Sequence, residues 1–344
     1  VGIDYLASTN IIHSSQILIL VKTVEIAGHE IKPGEFKEIN INIARLPSHT
    51  QIDTPIYVNR AKEDGPVLAL MAGMHGDEIN GMEIVRRIID TGLHRTKRGT
   101  IVCMPIINVY GFLNYSREVP DGKDINRSFP GSKTGSLAAR VAWHMTHDII
   151  PYIDYGIDFH TGGAARTNYP QVRCVMAEQT NVDLANAFCA PFTIDSPFRP
   201  HSLRQTAAKK GRNIIVYEGG ESVRFDQHAI EEGINGTLRL MKHLGMIDWA
   251  PEPKEENKII WNSSWMRART PGLFQNTIKC GDLIEKGQII GSITDPFGEF
   301  KETLKAPTKG YVVGINNNPV VNAGDALLHV GMDNFCKIGG GGED

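Results

Sequence analysis

No run of apolar residues approaches the roughly 18 that a membrane-spanning helix needs. The longest, QILILV at 16–21 and VLALMAGM at 67–74, have the length of strands. An excess of charge of one sign is also missing. Lys and Arg number 36 against 39 Asp and Glu, a formal net charge of −3, so neither nucleic acid nor a membrane surface is an expected partner. The five cysteines, Cys103, Cys174, Cys189, Cys280 and Cys336, are odd in number, far apart and form no Cys-x-x-Cys pair. That gives no disulfide framework and points to a reducing, cytoplasmic setting. The first ten residues, VGIDYLASTN, carry no basic stretch or cleavage-type segment, so no secretory signal is expected there. They also lack an initiating Met, which leaves open whether residue 1 is the native start. Tandem repeats are absent, and so is a Gly-x-Ser-x-Gly nucleophile motif. What remains is 344 residues with 41% hydrophobic and 22% charged side chains, enough for a globular protein of about two domains at roughly 150 residues each.

Hydrophobic patterning divides the chain. Residues 16–45 alternate apolar and polar with Gly breaks and predict short strands. Val67–Ala72 is a near-continuous apolar run, as in a strand buried on both faces. Met82, Ile84, Val85, Ile88 and Ile89 follow at helical spacing within 81–90, and GTIVCMPII at 99–107 is the next buried strand. Strand, helix, strand at this spacing predicts α/β units. Residues 108–133 read as a long, functional loop, and 134–150 as a helix. Further strands are expected at 155–159, 171–176 and 213–217, and helices at 181–188, 202–211 and 229–244. The Pro- and charge-rich stretch APEPKEENK at 250–258 reads as a linker. Beyond it lie short alternating segments with Gly turns, a small β-domain, and then a Gly-rich tail, GGGGED at 339–344, expected to be disordered. The expected organisation is an N-terminal β segment (1–50), a catalytic domain (51–249), the linker, a β-domain (259–335) and the tail (336–344).

Three strand ends carry chemistry. His75-Gly-Asp-Glu78 follows the carboxyl end of the 67–72 strand, where open α/β sheets bind ligands. The pair could share a metal ion, or Asp77 and Glu78 could simply start a helix. A second His-x-x-Glu, His228 to Glu231, falls in a helix and reads as a solvated face. His160 ends the 155–159 strand, either as a satisfied polar group or as a third ligand. Glu218 ends the 213–217 strand, and a carboxylate there is costly unless paired or working. If these strands are neighbours, His75, Glu78 and His160 make a two-His, one-carboxylate zinc site with an open position. Glu218 is then free to act as a general base on water.

In order along the chain, these motifs read Met-His75-Gly-Asp-Glu78, Asp124-Ile-Asn126-Arg127, Asp-Phe-His160-Thr-Gly-Gly and Tyr-Glu218-Gly-Gly. The set resembles the succinylglutamate desuccinylase/aspartoacylase family of the zinc-carboxypeptidase superfamily over about residues 50–335. The resemblance implies an α/β fold with a mixed, mostly parallel sheet flanked by helices and a C-terminal β-barrel-like domain. It implies one Zn²⁺ on His75, Glu78 and His160, and Glu218 as the group that activates water and protonates the leaving amine. Asn126 and Arg127 would hold a substrate carboxylate, Asp124 would orient His75, and Arg117 would polarise the scissile carbonyl. The implied reaction is hydrolysis of a small N-acyl amino acid such as N-succinylglutamate, N-acetylaspartate or N-acetyl-2,4-diaminobutyrate. A zinc carboxypeptidase acting on peptides is the alternative; the 82 residues from Glu78 to His160 are fewer than digestive-type carboxypeptidases carry. A binding module that kept the fold is a third reading, opposed by the intact site residues. Segments 306–312 and 318–328 are similar to biotinyl/lipoyl barrels, but Lys305 lies in no carrier motif, so no modification is expected. A homo-oligomer is left open.

Overall fold

The computed structural model describes residues 23–45 and 48–332. The apolar run 16–21, Cys336 and the Gly-rich tail lie outside the described residues. Instead of short pieces alone, the first segment forms a hairpin of β1 (Val24–Ile26) and β2 (His29–Ile31), then one long strand, β3 (Phe36–Arg45). It pairs antiparallel with β4 (Gln51–Arg60), and Ile39, Ile41, Ile56 and Val58 point inward at the period-2 spacing of strands.

Residues 63–243 form a three-layer α/β structure. β5 (Glu63–Ala72) leads through α1 (Ile79–Asp90) to β6 (Arg98–Met104), which lies parallel to it. Leu68, Leu70 and Ala72 face one layer and Ala69 and Met71 the other, all fully buried. Alternation on a strand covered on both sides accounts for the continuous apolar run, and each buried Leu contributes roughly 1.5–3 kcal/mol. The expected loop 108–133 contains a short helix, α2 (Val109–Asn114), capped by the Asn108 side chain on the Gly111 amide at 2.8 Å. Six residues are too few to show a periodicity. α3 (Leu137–His144) starts at a Ser136 cap and is shorter than the expected 134–150 helix, because the chain widens at 145–149 and turns at Pro151.

β7 (Tyr155–Gly162) enters beside β5 and is parallel to it. β8 (Arg166–Cys174), α4 (Gln179–Phe188), β9 (Phe192–Asp195), α5 (Leu203–Lys209), β10 (Asn213–Glu221) and α6 (Gln227–His243) follow. Helices α1, α4 and α6 cover one face through Ile84, Leu184, Phe188 and Met241; α3 and α5 cover the other through Val141 and Leu203. β6, β5, β7 and β10 are parallel neighbours, and their carboxyl ends share one edge.

After residues 250–257 the chain re-enters as β11 (Lys258–Ile260), parallel to β9. β12 (Ser263–Arg267), β13 (Gly272–Asn276), β14 (Leu283–Ile284), β15 (Ile289–Thr294), β16 (Lys301–Lys305), β17 (Gly310–Asn316), β18 (Val320–Val321) and β19 (Ala326–Met332) complete it. β17 pairs antiparallel with β8 and β19, and β19 with β12, so one sheet of 13 strands runs on from the α/β part among the described residues. β13, β15, β16 and β18 form a second sheet of four strands over a core that includes Phe274, Ile293, Leu304 and Val330. The large sheet is therefore mixed rather than mostly parallel. Parallel pairing is confined to β6–β5–β7–β10 and the β8–β9–β11 group, and the pairs β3–β4, β4–β6, β8–β10 and those of the C-terminal strands other than β11 are antiparallel. No helix among the described residues is long and apolar enough to cross a membrane.

Candidate active site

His75 and Glu78 lie in the turn between β5 and α1, and His160 lies near the end of the neighbouring β7. Glu78 occupies the N-cap position of α1, but its side chain makes no cap bond. Its carboxylate meets His75 Nδ1 through Oε1 and His160 Nδ1 through Oε2, both at 2.8 Å, and accepts the Thr161 amide at 3.1 Å. A helix-start role for Glu78 is thereby replaced by a buried cluster. Ligand atoms of His75, Glu78 and His160 all lie within 4.8 Å of one another. Gly163 is needed beside them, since a Cβ there would stand 2.8 Å from Glu78 Oε1. His228 and Glu231 are exposed on α6, where Glu231 accepts from Gln227 at 2.9 Å, as a solvated face should.

The outer nitrogens of both imidazoles are also held. His75 Nε2 lies 3.3 Å from Asp124 Oδ1, and His160 Nε2 lies 2.9 Å from Asp158 Oδ2. A carboxylate behind an imidazole fixes its tautomer and makes the opposite nitrogen more basic, the usual setting of a metal-binding His. This donor set, two converging Nδ1 atoms and one carboxylate, fits a divalent ion of borderline softness. Electrostatics tie the cluster together. Burial alone would push Glu78 up, but the two imidazoles hold it well below the usual carboxylate range. Burial likewise opposes charge on His160 and His75, yet Asp158 and Glu78 carry the first well above its ordinary value, and Glu78 and Asp124 raise the second.

Asp124 serves two partners. Besides His75, it accepts Arg117 Nη2 at 2.8 Å and Nε at 3.0 Å, and it caps the turn that presents Asn126. Arg117 Nη1 reaches within 3.3 Å of His75 Nδ1 and 3.6 Å of Glu78 Oε1. Burial works against the Arg117 charge, and Asp124 and Glu78 more than restore it. Asn126 accepts the Leu203 amide at 2.9 Å, which anchors it to the start of α5, and Arg127 is exposed.

Glu218 stands opposite His160 in the parallel register of β10 and β7. It pairs with Arg173 Nη1 at 3.0 Å and accepts the Asn168 carboxamide. Gly314 on β17 makes room for that carboxamide: a Cβ would meet Asn168 Oδ1 at 2.8 Å. His75, Glu78, Arg117, Asn126, Arg127, His160 and Glu218 line one cavity of about 270 Å³, with Asp124 behind it. Its wall also includes Asp158, Arg166, Asn168, Arg173, Arg199, Arg204 and Trp265, to which the sequence reading gave no role. Asp158 had a signal, since residues two apart on a strand share a face. Asp158→Asn is expected to keep the fold and weaken metal affinity about 10–100-fold, measured by competition with a chromophoric chelator. Unchanged affinity would remove Asp158 from this supporting role.

Three comparisons bear on this arrangement. The family model described as the succinylglutamate desuccinylase/aspartoacylase catalytic domain matches residues 64–244. The N-alpha-acetyl-L-2,4-diaminobutyric acid deacetylase of Halomonas elongata is 27% identical over an alignment of 290 residues that covers 79% of this chain and 84% of that protein. A succinylglutamate desuccinylase/aspartoacylase structure from Rhodobacter sphaeroides superposes with a TM-score of 0.77 at 23% identity, covering 86% of this chain and 94% of that one. The product-bound ectoine utilization protein EutE (DoeB) of Ruegeria pomeroyi gives 0.76 at 19% identity, covering 88% and 100%. The structural likenesses speak for the fold.

Proposed function

Because the chain belongs to the succinylglutamate desuccinylase/aspartoacylase family, we propose that it is a zinc-dependent amidohydrolase that releases the amine from a small N-acyl amino acid. The observation that carries this reading is the convergence of His75, Glu78, His160, Arg117 and Glu218 on one cavity. His75, Glu78 and His160 would hold the ion, which when bound supplies Lewis acidity to water and to the scissile carbonyl. Glu218 takes a proton from the attacking water and passes it to the leaving nitrogen. Arg117 faces the negative charge that develops on the carbonyl oxygen. Asn126 and Arg127 hold a substrate carboxylate, for which the guanidinium fork is well shaped. A cytoplasmic site of action is consistent with the free thiols of Cys103, Cys174, Cys189 and Cys280.

Charge narrows the substrate. The acidic side chains of the site are engaged: Glu78 and Asp158 with the imidazoles, Asp124 with Arg117 and His75, Glu218 with Arg173. Arg127, Arg166, Arg199 and Arg204 form no ion pair with a carboxylate among the described residues, and all four line the cavity. Such a wall favours a substrate with two or more carboxylates and offers nothing to a free ammonium group. N-acetylaspartate and N-succinylglutamate are therefore expected to be turned over faster than N-acetyl-2,4-diaminobutyrate. Amine release from these three and from one peptide, with added zinc and with chelator, tests this. Chelator-sensitive release from N-acetylaspartate or N-succinylglutamate supports the reading. Peptide turnover alone moves it to a carboxypeptidase, and preference for the diaminobutyrate overturns the charge argument.

A further inference from the structure

We infer that Trp265 is the partition that limits the length of the acyl group, separating the catalytic cavity from a second cavity behind it. The inference rests on the N-acyl amino acid reading above. The second cavity, about 560 Å³, is formed by β12, β16 and adjoining residues, among them Arg267, Arg269, Glu302, Lys305 and Pro307. Trp265 is the one residue that lines both cavities.

The indole is held in place. Trp265 lies directly opposite His329 in the antiparallel pairing of β12 and β19, and the two rings stack at 4.8 Å between centroids and 7° between planes. Ser263 Oγ fixes His329 Nε2 at 3.0 Å, and the Arg166 guanidinium sits over the indole at 5.7 Å. His329 is buried, and desolvation together with the Arg173 charge pushes it down to about 3, so the backing ring stays neutral at ordinary pH. The row Trp265–His329–Gly314–Asn168 crosses four strands in register and ends on the carboxamide that touches Glu218. Three strand spacings of about 4.8 Å put the backbone of Trp265 about 14 Å from that of Asn168. Trp265 and Asn168 both line the catalytic cavity, so the indole bounds the same space that an acyl group beside Glu218 would enter.

Chemistry assigns this side to the acyl group. Asn126, Arg199 and Arg204 gather around the start of α5 and offer the donors that an amino acid's carboxylates need. The far side offers the face of Trp265 with one guanidinium over it. Beyond the indole, Arg267, Arg269 and Lys305 outnumber Glu302, which is taken up by Thr270. Opening the partition should thus help long acyl chains most when they end in a carboxylate.

The test is Trp265→Ala against wild type, with N-acetyl-, N-succinyl-, N-adipoyl- and N-suberoylglutamate as the series. The ratio of kcat/KM for suberoyl to that for acetyl is expected to rise at least tenfold, with Trp265→Phe in between. A ratio cancels any general loss of active protein. Affinities for the same series, by calorimetry on the proteins as purified, should show the suberoyl compound gaining at least tenfold in Trp265→Ala. An unchanged length profile in folded Trp265→Ala, or no binding of any member by either protein, would overturn the partition. If the wild type hydrolyses none of the series, the proposed reaction fails, and the affinity profile still decides the role of Trp265.

Discussion

Glu218→Gln is expected to lower kcat by about 10²–10⁴-fold while metal content and unfolding midpoint stay at wild-type values. Gln has the size of Glu; its carbonyl oxygen can still accept from Arg173, and its amide can donate to the Asn168 carboxamide once that group is turned over, since the two partners meet separate oxygens of Glu218 on β10. What the carboxamide cannot do is take a proton from water and return it to the leaving nitrogen. Because Glu218 is no part of the His75, Glu78 and His160 group, the ion should remain. Because Asn126 and Arg127 are untouched, KM should move much less than kcat. Steady-state kinetics on the best substrate of the panel, beside metal analysis of the same protein, read both quantities. A kcat within tenfold of wild type would remove Glu218 from proton transfer and leave it as the partner of Arg173.

The parts of this site that a sequence exposes are those fixed by short-range geometry. His75 and Glu78 follow the end of β5, and His160 and Glu218 come just after the apolar stretches of β7 and β10, which run on to Gly162 and Glu221; parallel neighbours bring such positions together without further information. Arg173 and Asn168 depend instead on the antiparallel register of β8 on β10, which no local pattern states. β8 was also hidden at its start. Its first residues, Arg166 to Pro170, are mostly polar, and Pro170 argues against a central strand. The structure accommodates them with an irregularity in the ladder, where pairing skips from Gln171 to Asn168. Trp265 lies about 100 residues beyond His160 in sequence and reaches the cavity because β11 pairs with β9 and β17 joins the C-terminal strands to β8. The C-terminal segment read correctly as short strands, but its union with the large sheet rests on two non-local pairings, β11 on β9 and β17 on β8.

Glu78→Gln should act on both metal and stability, and in opposite ways to Glu218→Gln. It removes the only carboxylate of the buried group, so the ion is expected to be lost on dialysis. It also leaves His75 and His160 without the charge that both rings face. Breaking a buried ion pair by removing one partner costs about 3–5 kcal/mol, and the metal-free wild type and variant should differ by that order in denaturant unfolding. The sign of the pH dependence follows from the shifts. His75 and His160 are raised above an ordinary 6.5, so their contribution is fully present below pH 6.5 and fades as pH rises through their folded values. Glu78 is held below an ordinary 4.5, so its contribution is present above pH 4.5 and fades as pH falls through its folded value. The stability gap between wild type and variant should therefore be widest between about pH 4.5 and 6.5 and narrow on either side. Metal uptake must displace the same protons, so affinity in the wild type should fall as pH falls through this range. Equal urea midpoints at pH 6 would mean that the three groups do not share charge as their geometry demands, and an ion retained by Glu78→Gln would strike Glu78 from the ligands.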